Sequence, residues 1–112
     1  MKKFAVETAK LYSAPGHSNM VAMRLVGKEE TGNQKFWMGM SHFLPGGGAS
    51  WAYEDNPMEK VYFVLEGELT VKTKTEEIVV KKMEGVSLAP NEGREIWNKT
   101  NMPLTMLVII NY

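Results

Sequence analysis

The chain has 112 residues, thirteen Lys/Arg against thirteen Asp/Glu for a formal net charge of zero, 44% hydrophobic residues and no cysteine. This is the composition of one ordinary globular domain with room for its own core. It lacks the basic clusters of a nucleic-acid binder, an apolar run of membrane length, and any basis for disulfides or thiolate metal sites.

The N-terminal stretch turns polar too early for a signal peptide, so a cytoplasmic location is the default expectation. Residues 2–13 read as an edge strand, within an arm of residues 1–19 that pairs on this chain or on a partner subunit. His17 lies in the turn Ala14-Pro15-Gly16-His17-Ser18, where a histidine is ordinarily solvated. Met20–Val26 is the first clear β-run, closed by Gly27. Lys35–Leu44 is the second, ended by Pro45-Gly46-Gly47-Gly48. His42 lies in it as a candidate general acid/base if the phase of Met38 and Met40 faces inward, and as an outer-face residue if Gly39, Ser41 and Phe43 do. Three consecutive glycines imply a weakened, mobile segment, with Trp51 and Tyr53 following as a candidate lid.

Val61–Leu65 is continuously apolar, which predicts a strand covered on both faces. Glu66-Gly67 turns it into the alternating run 68–74. Further runs follow at Ile78–Met83, Val86–Leu88, Glu95–Asn98 and Leu104–Ile110, separated by Glu84-Gly85, Pro90–Gly93 and Lys99–Pro103. Strands of this number, spaced by tight turns and leaving little room for helix, predict an all-β domain spanning residues 1–112. Two packed sheets or a closed barrel bury the apolar faces and remove exposed edges. The nine methionines read mainly as flexible core fillers, with a Met-lined pocket as the alternative.

The stretch from Leu44-Pro45-Gly46 to Val64-Leu65-Glu66-Gly67 resembles the first motif of the cupin family. There a Pro-Gly turn leads to a His-x-His pair, a Glu, and a strand ending in Leu-Glu-Gly. Met83-Glu84-Gly85 through Pro90 to Asn98 resembles the second motif, which carries a fourth ligand, His. The resemblance implies a double-stranded β-helix, or jelly-roll barrel, over about residues 36–110. At the positions of the metal ligands it places Glu54, Asn56, Lys60 and Arg94, although counting forward from Pro45 selects Ala52 with Glu54. Lysine and arginine carry donors and no lone pair for a cation, so this set implies no metal and no cofactor. A guanidinium and an ammonium suit a carboxylate or phosphate instead.

The expected site therefore has Arg94 facing Lys60, partly neutralised by Glu54. Glu54 and Lys60 are its proton-transfer candidates. Arg94, Asn56, Trp51, Tyr62, Ile96 and Met106 are its substrate-binding candidates. Its ligand is a small anionic molecule, an organic acid or a sugar-like anion. Small cupins of this sort include isomerases and lyases; a non-catalytic binding or sensing barrel needs the same pocket, and a metal-dependent dioxygenase is the third reading, disfavoured by the ligand positions. A solvated rim pair of Lys60 and Glu54, with Arg94 in a surface turn, is the structural alternative. The outer apolar side chains Phe36, Met38 and Met40 add the expectation of a homodimer.

Overall fold

The structure, a computed structural model, describes residues 1–112. Nine strands follow one short 3-10 turn at Val6–Thr8: β1 (Lys10–Tyr12), β2 (His17–Val26), β3 (Phe36–Ala52), β4 (Lys60–Glu66), β5 (Leu69–Lys72), β6 (Glu77–Val80), β7 (Gly85–Leu88), β8 (Arg94–Trp97) and β9 (Leu104–Asn111). The hydrogen-bonded order is β6-β5-β8-β3-β9-β4-β7, with β1 and β2 attached to β3, and every pairing is antiparallel. This sheet wraps into a nearly closed barrel, the jelly roll expected of the sequence. No helix is long and apolar enough to cross a membrane.

Strand β3 runs longer than the sequence pattern implies. It continues through Pro45 and the three glycines to Ala52. Its first half pairs with β9 and its second half with β8, while β2 runs beside both halves, so one strand serves both walls. The glycines permit this by close approach rather than by mobility. Gly46 turns the chain at φ +81°, a Cβ on Gly47 would meet the Asn19 carbonyl, and one on Gly48 would meet the Ile96 carbonyl and the Trp97 ring. Gly47 and Gly48 are buried. Trp97, the register partner of Gly48, covers the bare glycine with its ring.

Strand alternation sets the interior. Along β4, Lys60, Tyr62 and Val64 are buried, while Val61, Phe63 and Leu65 are half-buried on the outside; that face is not fully covered, contrary to the continuous-apolar reading. In β3 the phase is Gly39, Ser41 and Phe43 inward, so His42 lies on the outer face, where Nδ1 meets Thr105 Oγ1 at 2.9 Å. The inner side chains of β3, β4, β8 and β9 form the core around Phe43, Val64, Ile96 and Met106. Strand β1 pairs with β2 of its own chain and is confined to Lys10–Tyr12, so the edge strand expected over residues 2–13 forms only at its end.

Candidate functional site

The barrel holds a cavity of about 540 Å³ at one end, lined by residues of the arm 12–17, of β2, β3, β4, β8 and β9, and of the segment following β3. Arg94 is its best-ordered polar group. Opposite Ala52 in register and 2% exposed, it points inward from the first position of β8. Its Nε donates to Tyr62 Oη at 2.8 Å and its Nη1 to the Ser50 carbonyl at 3.0 Å. The guanidinium also lies 4.9 Å from the centre of the Tyr53 ring. Anchoring Nε and Nη1 in this way leaves the Nη2 donors to a ligand at small entropic cost.

Lys60 is fully buried, as an ammonium rarely is without a carboxylate. Its Nζ donates to the Met58 carbonyl at 2.9 Å and lies 4.4 Å from the centre of the same Tyr53 ring. The negative face of one aromatic ring thus serves two cations. Burial lowers the Lys60 pKa, and the neighbouring Arg94 lowers it further, with Glu92 opposing. Tyr53 adopts φ +70°, a conformation uncommon for a bulky side chain. Tyr62, hydrogen-bonded to Arg94, has its pKa raised by burial despite that arginine, so its phenol stays protonated.

The structure brings Arg94, Tyr62, Trp51, Ile96 and Met106 to the cavity. Lys60 stands behind it, reaching it through Tyr53. Glu54 and Asn56 are placed elsewhere. Glu54 accepts from Trp51 Nε1 at 3.1 Å, pairs with Lys74, and lines a separate outer groove. The expected neutralisation of Lys60 and Arg94 by Glu54 is therefore not formed, because the turn after β3 carries that carboxylate round to Lys74. Asn56 shapes the same turn: its Oδ1 accepts the Met58 N–H at 2.9 Å and its carbonyl accepts from the Asn91 N–H.

Sequence reasoning missed Arg24, His17 and Tyr12 in the cavity. Arg24 lies on the inner face of β2, two residues from buried Ala22. Its guanidinium stacks 5.0 Å from the centre of Tyr12 and 4.5 Å from that of Trp37. A lone charge inside the apolar run Met20–Val26 was the available signal. His17 is half-buried, stacked against Phe43, with Nδ1 2.7 Å from the Pro15 carbonyl. A carbonyl only accepts, so Nδ1 carries the proton and Nε2 holds the lone pair. Burial lowers the His17 pKa below 6.5, the Pro15 contact opposes, and Arg94 lowers it again. Of the residues that line the cavity none is Asp or Glu, and none but His17 is histidine.

An antiparallel barrel with one aromatic-walled, arginine-bearing cavity is a small-molecule-binding scaffold. The family model described as "Cupin domain" matches residues 39–110, and the chain belongs to that family. A Mycobacterium tuberculosis protein named beta-D-galactosidase is 38% identical over 110 residues, covering 98% of this chain and 93% of its own length. Among solved structures, a predicted oxalate decarboxylase from Thermotoga maritima superposes with a TM-score of 0.83 at 18% identity, covering 98% of both chains. The polyketide cyclase RemF from Streptomyces resistomycificus does so with 0.85 at 17%, covering 99% of this chain and 79% of its own. Those likenesses are of fold. The metal that most cupins hold finds no fitting ligands in this chain: no group of three or more His, Cys, Asp or Glu side chains converges anywhere. Two of the four corresponding positions, Lys60 and Arg94, offer only donors.

Proposed function

We propose that this cupin binds a small organic acid or acidic sugar through Arg94 and moves a proton on it through His17 without a metal, in isomerase- or lyase-type chemistry. One observation carries the reading: the cavity receives arginine side chains and no carboxylate. Buried positive charge without a protein counter-ion is costly, and an acid group on the ligand supplies the missing partner. The rings of Tyr12, Trp37, Trp51 and Tyr53 suit the body of such a ligand.

In this chemistry His17 Nε2 takes the proton from the carbon next to the carboxylate. The electron pair left on carbon moves into the carboxylate, whose added charge Arg94 stabilises. Return of a proton from water to the other face inverts the centre, and the His17 imidazolium gives its own proton back to solvent. Departure of a group from the next carbon with its bonding pair, protonated by that imidazolium, while the carbon pair forms the double bond, gives elimination. The mycobacterial relative's name brings a galactoside to the same cavity. Hydrolysis by the common mechanism uses two carboxylates about 5–10 Å apart, which this lining does not supply, so the sugar-like part of the reading concerns binding.

The test is solvent exchange. Galactonate and related sugar acids are incubated with the protein in deuterium oxide and the proton next to the carboxylate is followed by NMR. Exchange survives EDTA, and His17→Gln abolishes it while binding persists. Exchange unaffected by His17→Gln, or stopped by EDTA and restored by zinc, overturns the reading. Binding without exchange leaves a non-catalytic receptor. Two copies are proposed to pair through the outer face of the β2-β3-β9-β4 wall, where the register aligns Met23, Met40, Leu107 and Phe63 in one apolar row, and Met38, Ile109 and Val61 in the next.

A further inference from the structure

The chain contains only two arginines, Arg24 and Arg94, beside eleven lysines, and both arginines line the cavity. Arg94 has two protein acceptors. No carboxylate or carbonyl holds Arg24: its Nε is buried and unpaired, all three ion pairs of the molecule belong to lysines, and its one hydrogen-bonding neighbour is the Tyr12 hydroxyl. An arginine retained for structure normally spends its fork on a carboxylate or on carbonyls. Arg24 spends its flat faces on Tyr12 and Trp37 and meets no charged acceptor. Stacking fixes the plane of a guanidinium and leaves its in-plane donors for an oxyanion.

The register places the two arginines on different walls. Across one row of inward positions, Arg24 lies opposite Gly39, Gly39 opposite Val108, and Val108 opposite Tyr62, whose hydroxyl holds Arg94. Three inter-strand steps span roughly 14 Å of backbone, and both side chains reach inward from its ends. Gly39 leaves the floor between them bare; a Cβ there would lie 3.1 Å from the Trp37 ring that supports Arg24.

We infer that Arg24 is a second anion-binding arm, and that the ligand is a dianion carrying oxyanionic groups at opposite ends of a compact body. The inference rests on the reading that Arg94 takes an acid group, and adds that one acid group leaves Arg24 uncompensated. The second group is a carboxylate or a phosphate, which share the chemistry a guanidinium fork recognises.

Titration calorimetry on the full chain tests it with three matched pairs: glutarate against butyrate, galactarate against galactonate, and 3-phosphoglycerate against glycerate. In at least one pair the dianion binds about 10- to 100-fold more tightly, the return of one charge-assisted contact. Arg24→Gln, which keeps a polar stem against Tyr12 and Trp37, collapses that gap, and Arg24→Lys restores part of it. A gap in the carboxylate pairs assigns a carboxylate to the second arm; a gap in the 3-phosphoglycerate pair alone assigns a phosphate. No gap in any pair, or a gap that persists in Arg24→Gln, overturns the inference. If the variants do not fold, the wild-type pairs decide alone. Acids that bind without a gap sink only the second arm, whereas failure of every acid to bind sinks the Arg94 reading with it.

Discussion

Tyr53 shares its ring between Lys60 and Arg94, and that arrangement explains why two cations tolerate each other inside a barrel. It was half legible in the sequence. The family resemblance located Lys60 and Arg94, and both lie on strands, where alternation fixes which residues point inward. Counting failed for Glu54, whose direction depends on the turn after β3 and on Trp51 and Lys74. Arg24 escaped notice because a single charge in an apolar strand is ordinarily read as pointing outward. His17 escaped because its burial comes from Phe43, a residue distant in sequence. For His17 the sign of the pH effect is determined. Its folded pKa lies below the ordinary 6.5, so the folded state binds fewer protons than the unfolded one. The neutral base persists at neutral and mildly acid pH, and stability falls as pH drops from 6.5 toward the folded value. An NMR titration of the His17 ring gives a midpoint below 6.5; a midpoint at or above 6.5 removes the case for a standing base at Nε2.

At the scale of elements, the strand positions followed from alternation and turn residues, and β4, β5, β7, β8 and β9 fall within two or three residues of expectation. The exceptions are β1, where the edge strand expected over 2–13 is only Lys10–Tyr12, and β3. Pro45 and three glycines read as a break, because local propensity cannot register that Trp97 and the Asn19 carbonyl lie where side chains would be. The glycines are a crossing point held by close packing. Gly48→Ala forces its methyl into the Ile96 carbonyl and the Trp97 ring, and the expected loss is about 3 kcal/mol of folding stability, the upper range for overpacking. Denaturant unfolding measures it. A midpoint unchanged from wild type would mean that β3 bends freely there, as a mobile segment would.

Taken whole, the molecule separates its charge by kind. Lysines and carboxylates pair on the outside, while both arginines turn to the cavity with tyrosine and tryptophan around them. A formal net charge of zero therefore hides a positive interior, which no compositional count reveals. The opposite, outer face of the same wall is apolar in two consecutive rows, and sedimentation at micromolar concentration is expected to report a dimer that Phe63→Lys dissociates. A monomer of the wild-type chain under those conditions contradicts that pairing. The positive cavity is the central claim, and the affinity of galactonate set against that of neutral galactose tests it most directly. The account predicts that the wild-type protein prefers the acid by about tenfold or more, and that Arg94→Ala erases the preference while the chain remains folded. Equal affinity for acid and neutral sugar, or a preference that Arg94→Ala leaves intact, would contradict it.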